Sequence, residues 1–416
     1  MKAAFLVHRK DFYKYMGPLI QAALARGWQC EAWLYAGRES KEYLALKDQP
    51  LPTRFAGSVK LEWFQQESDV PSLAQRSAPD VVFSLHPRSR YGDAAWNTCF
   101  VTLHHGVDTF LRVSPEDLLS SDLICLQTPY WLQWGSEYFA AQGLGSGAGI
   151  RQKLEAKVVY TGTPRLDIAT QLDAELIRQK HGIADGKPVV LYFPINVAYW
   201  PGHWPAFFAS KGTERLKAFG RGLRDEGLAF LKYLPWLLFG WNDEALTRAV
   251  RRFCDKNDAF LVAKGRRKDL LRPASQDMAD LAIYDEEFYP ATIYELMSIA
   301  DVCIHSYSSA AFEMTLFDAF GICVDRPNLD ELSHKLWRTA HQGGVFNFEG
   351  VNHWTCIPQM ILGFGAKSLI DLRVDAKALK NYIRTYVDPG DGSSSERILD
   401  RAAARTAQKR ANPLVG

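Results

Sequence analysis

The 416-residue chain has no run that approaches the about 18 uncharged apolar residues a membrane-spanning helix needs. Its first apolar run, within MKAAFLVHRKDF, stops after five residues, too soon for the core of a signal peptide. A cytoplasmic protein, soluble or peripheral on a membrane face, is expected. A paired-cysteine motif is also missing. The seven cysteines (Cys30, Cys99, Cys125, Cys254, Cys303, Cys323 and Cys356) form no C-x-x-C pair, and several sit in apolar runs such as DLICLQ. That excludes a disulfide framework and a zinc site, and leaves buried thiols in a reducing compartment. Charge of one sign is lacking too: 49 basic against 47 acidic residues gives a net +2, far from the basic face nucleic acid requires. Internal repeats are absent, and the polar DPGDGSSS near Gly390 is the nearest thing to a low-complexity tract.

What is present is the composition of an ordinary globular protein, 47% hydrophobic and 23% charged, in a chain too long for one core. Short apolar strands alternate with helical spacing. Ala3–Val7 precedes a helix over Tyr13–Arg26 that stops at Gly27. Further strands are expected at Cys30–Tyr35, Lys60–Phe64, Asp80–Leu85, Phe100–His104 and Leu123–Gln127. A second cycle opens at Val158–Tyr160, with a helix over Ala169–Lys180 and strands at Pro188–Phe193, Ala259–Val262 and Leu281–Tyr284. It continues through the helix Thr292–Ile299, the strand Val302–His305, the helix Ser309–Phe320 and the strand Ile322–Val324. This alternation predicts an α/β protein of two doubly wound domains. The hinge is expected near Ile183–Lys187, giving domains 1–183 and 184–390. A final helix over Ser395–Arg410, or a tail, then occupies 391–416.

The segment Tyr199–Trp241 holds YWPGHW and LAFLKYLPWLLFGW with basic residues interspersed. It reads either as a helical insertion packed on the core or as an interfacial surface for a membrane or lipid-linked partner.

The most informative run is ADVCIHSYSSAAFEMTLFDAFGICVD, Ala300–Asp325, a strand, a serine-rich turn, a helix and a strand. The turn falls where the helix begins. Ser306, Ser308 and Ser309 with free backbone N–H groups suit phosphate oxygens, and Glu313, one turn on, suits sugar hydroxyls. The same spacing is also that of a plain capping box. Elsewhere, Lys264 and Arg266 follow an apolar strand and read as cations for a phosphate or as a solvated loop. His86-Pro87-Arg88 with Arg90 reads as an anion-binding element or as a surface loop. The pair His104-His105 with Gly106 follows another strand. That places imidazole at the carboxyl end of a sheet, where α/β proteins bind ligands, with an ordinary pKa near about 6.5 suited to proton abstraction. Gly106 permits close backbone approach, Asp108 is placed to orient the ring, and alternation along a continuing strand would turn His104 the other way.

These segments resemble the CDP-glycerol glycerophosphotransferases, the teichoic-acid polymerase family. Ala300–Asp325 is similar to its carboxyl-terminal signature, departing at Ser306 and Glu313, where the family has Asp. Leu103-His104-His105-Gly106-Val107 resembles its W-H-G-T segment, with Val107 in place of Thr. Tyr160–Asp167, YTGTPRLD, resembles T-G-Y-P-R-x-D, and Lys187–Pro194 resembles K-x-I-L-Y-A-P. The resemblance covers roughly residues 98 to 330. It implies a GT-B fold, two Rossmann-like domains facing across a cleft, and metal-independent transfer of a glycosyl or alditol-phosphate group from a nucleotide-activated donor. The donor would be CDP-, CMP- or UDP-linked, and the acceptor a hydroxyl of a glycan or lipid-linked, teichoic-acid-like polymer. His105 would be the general base, with His305 competing for that role. Ser306, Ser308, Ser309, Glu313, Lys264, Arg266, Thr163, Arg165 and Asp325 would hold the donor, and His104, Gly106, Asp108 and Arg88 the acceptor. No acidic D-x-D pair stands where a metal-dependent transferase would carry one, so neither metal nor cofactor is expected. Two alternatives remain: a CMP-sugar transferase for Kdo or sialic acid, and a nucleotide-sugar 2-epimerase.

Overall fold

The computed structural model describes residues 1–37, 41–92, 98–106, 109–111, 113–194, 203–231, 243–265, 270–284, 289–306, 308–325, 344–387 and 390–411. The chain divides into two units. One comprises Met1–Leu172, Glu286–Tyr294 and Ile383–Gly416, and the other Asp173–Asp285 and Glu295–Tyr382. The segment Ile183–Lys187 thus lies inside the second unit, and the carboxyl-terminal helix returns to the first.

Among the described residues the first unit is built on a seven-stranded sheet: β1 (Lys2–Val7), β2 (Gln29–Tyr35), β3 (Val59–Phe64), β4 (Val81–Ser84), β5 (Cys99–Leu103), β6 (Leu123–Leu126) and β7 (Val158–Tyr160). Their order is β3-β2-β1-β4-β5-β6-β7, and every pair is parallel. The strands are apolar almost throughout because helices cover both faces of such a sheet. On one face Leu6, Trp33, Phe64, Val82, Tyr91 and Phe100 form a continuous cluster. Val158–Tyr160, read from sequence as opening the second cycle, is instead the edge strand of the first sheet, its Val158 level with Ile124.

The helix Ser394–Ala411 is fixed to this unit by charge. The two Asp167 carboxylate oxygens accept the backbone N–H groups of Ser394 (2.9 Å) and Ser395 (2.7 Å), which have no partner within the helix. Arg26 pairs with Glu396 and, at 2.7 Å, with Asp400, while Lys409 reaches Asp122 at 3.0 Å.

Among the described residues the second unit carries a six-stranded sheet: β8 (Val189–Tyr192), β9 (Phe260–Lys264), β10 (Leu281–Ile283), β11 (Val302–His305), β12 (Phe320–Asp325) and β13 (Asn352–Cys356). The order is β10-β9-β8-β11-β12-β13, again wholly parallel. Its core joins Tyr192, Phe253, Leu261, Ile304, Ile322, Ile357 and Phe364, with the Phe253 and Phe364 rings stacked 4.3 Å apart. β13 escapes a sequence reading because Asn-His-Trp-Thr-Cys lacks an apolar run.

Two helices are shorter than their spacing suggests. Ala169–Lys180 resolves into a 3-10 segment, Pro164–Gln171, and a helix, Ala174–Lys180. Ser309–Phe320 resolves into one α turn, Ala310–Glu313, and a 3-10 turn, Met314–Phe317, closed by Asp318 in the left-handed region at φ 56°. The Thr315 hydroxyl donates to the Phe312 carbonyl at 2.6 Å, a local bond that competes with helix propagation.

Candidate functional site

In an open parallel sheet, ligands bind outside the carboxyl ends of the strands, at the point where strand order reverses. In the first unit that point lies between β1 and β4. His8 follows β1 directly, His86 lies two residues past β4, and His104-His105 follow β5. The rings of His8 and His86 meet edge to face with centroids 5.2 Å apart. Phe12 bridges the group, at 5.9 Å from His8, 5.8 Å from His86 and 5.7 Å from His105.

His105 is partly exposed and held from several sides. Its backbone N–H donates to the Thr109 hydroxyl at 2.7 Å, and Gly106 closes the turn at φ 63°. A Cβ at Gly106 would meet nothing within 4 Å, so it is this backbone conformation, rather than lack of room, that favours glycine. The Tyr15 ring stands edge-on to His105 at 5.1 Å. The Tyr15 hydroxyl in turn accepts from buried Arg165 at 2.9 Å, and the guanidinium lies over the same ring. Arg165 and Thr163, which the resemblance assigns to the donor, are thus buried in the first unit, Arg165 beside the histidine group.

His104 is buried against Trp131, ring to ring at 4.9 Å, with Gln127 beside it. Burial, with Arg165 and His105 nearby, lowers its pKa to about 3, so it is neutral. The same cause, reinforced by Arg90 and then Arg9, lowers His8 to about 3. His86 falls to about 2, through burial and then Arg90, His8, His105 and Arg9. Arg90 rather than Arg88 bears on these rings; the charge of Arg88 acts on Lys157. Asp108 and Val107 lie outside the described residues. Of this group the sequence reading missed His8 altogether, although Val7-His8-Arg9 repeats the pattern of an apolar strand followed by histidine that exposed His105.

In the second unit the order reverses between β8 and β11. The carboxyl edge there carries Lys264 at the end of β9, His305 and Ser306 at the end of β11, and Asp325 at the end of β12. Lys264 is buried and donates to the Gly265 carbonyl at 3.3 Å; Arg266 lies outside the described residues. The buried His305 ring holds the serine turn, its Nδ1 accepting the Ser308 N–H at 3.4 Å, with Phe346 at 5.7 Å. The Ser308 hydroxyl accepts the Ala310 N–H at 3.2 Å, whereas Ser309 is exposed and its side chain caps nothing. The alternative of a plain capping box is not what forms here; a shorter Ser308 turn stands in its place. Glu313 is only 4% exposed, and its charge helps burial hold the Cys303 thiol up. Ser306, Ser308 and Ser309 remain the hydroxyls at this strand end.

No protein-family model and no curated protein sequence matches the chain. Solved structures do match over nearly its whole length. The wall teichoic acid polymerase TagF aligns at TM-score 0.56 and 12% identity, over 98% of this chain and 90% of that one. The fold is GT-B. A putative UDP-N-acetylglucosamine 2-epimerase from Listeria monocytogenes aligns at TM-score 0.54 and 11% identity, over 97% and 96%. The Neisseria meningitidis UDP-GlcNAc 2-epimerase bound to UDP-GlcNAc aligns at 0.54 and 12%, over 97% and 100%. Each unit supplies one of the two parallel sheets of that fold.

Proposed function

We propose that the protein transfers a glycosyl or alditol-phosphate group from a nucleotide-activated donor to an acceptor hydroxyl. The observation that carries this reading is His105, a partly exposed imidazole pinned at a strand end of a GT-B sheet. The second unit's edge, with Ser306, Ser308, Ser309, Lys264 and Asp325, holds the donor, its hydroxyls and lysine facing phosphate oxygens. His105, with Arg165 and Tyr15 behind it, takes the acceptor's proton as its oxygen attacks the donor, and the donor's bond to the nucleotide breaks, the nucleoside phosphate leaving with the electron pair. An epimerase is the second reading, supported by the likeness to the Listeria and Neisseria enzymes.

The donor assignment is tested by thermal shift with CDP, UDP, GDP and CMP, because a ligand that binds the native state raises apparent stability. The Ser308→Ala/Ser309→Ala variant is expected to weaken the preferred nucleotide by about 1–3 kcal/mol, the worth of bonds to charged oxygens. Unchanged affinity in the folded variant would move the donor elsewhere.

A peripheral membrane role is part of this proposal. The aromatic residues Trp204, Phe207 and Phe230 are buried, Trp204 and Phe230 stacking at 4.5 Å, so this part of the insertion packs inward. Residues 232–242, with Trp236, Phe239 and Trp241, lie outside the described residues. On the helix Gly212–Glu226, however, Leu216 is 73% exposed and Leu223, two turns on, 37%, with Arg215 and Arg221 alongside and Lys217 and Arg224 paired with Glu214 and Asp225. Such a face suits an anionic bilayer surface. The wild type is expected to float with anionic liposomes and a Leu216→Gln/Leu223→Gln variant to float less; equal behaviour of both removes the helix from the proposal.

A further inference from the structure

The strand-order reversal of the first sheet is flanked by two histidines, His8 after β1 and His86 after β4, with His105 on the adjoining strand. His8 is 3% exposed, and its Nδ1 has no hydrogen-bond partner among the described residues. A buried polar atom left so is destabilising. The surroundings add a second cost. The cations that bear on both rings are Arg90 and Arg9. The carboxylates beside these arginines, Asp11 at 3.4 Å from Arg9 and Glu67 at 3.1 Å from Arg90, are partly exposed. Arg9 and Arg90 thus bear on the rings while paired with these carboxylates, and Phe12, Tyr35, Phe64 and Tyr91 surround His8, the Tyr91 hydroxyl 3.5 Å from its Nε2.

We propose that this edge is an oxyanion site, in which His8, His86 and His105, with Arg9 and Arg90, bind a phosphate or carboxylate group carried by the acceptor. Guanidinium forks grip such a group in two places, and each imidazole adds one N–H donor while neutral. An anion among the rings reverses the sign of the local field, so the histidines take up protons as it binds. Ownership of the group by the acceptor rests on the transfer reading; the oxyanion site does not.

The test uses the full chain labelled with [¹³C]histidine, ten residues in all, and follows imidazole signals during titration with inorganic phosphate, acetate or glycerol. Phosphate is expected to shift His8, His86 and His105 together, and Arg90→Gln and His86→Gln to weaken it by about tenfold or more each. Arg90 is exposed, so its variant keeps the test open if His86→Gln fails to fold. Shifts by acetate in place of phosphate keep the site and assign it a carboxylate. Shifts by glycerol alone, by neither anion, or undiminished in both variants overturn the proposal. Nucleotide affinity, measured in the same samples, separates the two readings. Its persistence after such a failure leaves the donor assignment standing, and its absence beside an intact anion site condemns the donor assignment alone.

Discussion

Replacing His105 with alanine is expected to lower turnover at saturating donor by a factor of about 10² to 10⁴, the usual worth of general-base assistance. Donor affinity should hardly change, since the residues proposed to hold the donor belong to the other unit. The ring is already restrained. Thr109 fixes its backbone, Phe12 and Tyr15 contact it, and Arg165 anchors Tyr15. Two comparisons isolate the chemistry. His104→Ala should cost stability, about 1–3 kcal/mol for lost packing on Trp131, with turnover per folded molecule nearly intact. His305→Ala should disturb the Ser308 turn, whose N–H it accepts, and so weaken the donor before it slows the chemistry. A His105→Ala protein that is folded and near full activity removes the base from the mechanism.

Asp167→Ala should destabilise the first unit by about 2–4 kcal/mol. The carboxylate accepts two backbone N–H groups at the start of the helix Ser394–Ala411, bonds worth about 1.5–3 kcal/mol each to a charged acceptor. Removing the buried charge returns part of that, because burial opposes ionisation here and raises the Asp167 pKa. Orphaned N–H groups and a helix joined to its sheet from more than 200 residues away make the loss larger than an exposed cap would give. For a unit of this size each kcal/mol is about 2–4 °C in Tm, so a fall of about 4–16 °C is expected by calorimetry. Asp167→Asn keeps one acceptor oxygen and should lose roughly half as much. Unchanged melting in both variants would show that the cap contributes nothing.

The two sheets were legible because parallel strands buried on both faces read as Val-, Ile- and Leu-rich runs, as in Val189–Tyr192 and Val302–His305. β13 was not, since Asn352–Cys356 carries its order through hydrogen bonds to β12 rather than through an apolar pattern. The return of Ser394–Ala411 to the first unit depends on Asp167, a contact across 227 residues that no local periodicity records. The serine turn was placed correctly, but its helix was not: the spacing of Phe312 and Leu316 suits a longer helix, which the Thr315 bond and the Asp318 turn cut short. His105 stood out because a strand, a histidine and a glycine adjoin in sequence. His8 and His86 meet it only once β1, β4 and β5 are laid side by side, a non-local order the sequence carries as strand pairing.

Acceptor-dependent transfer is measured directly as nucleotide release from the preferred donor with and without a hydroxyl acceptor. Release is expected to require acceptor and to fall by about 10² to 10⁴ in His105→Ala. Conversion of the donor to its epimer with no acceptor present, or release indifferent to both acceptor and His105, would contradict it.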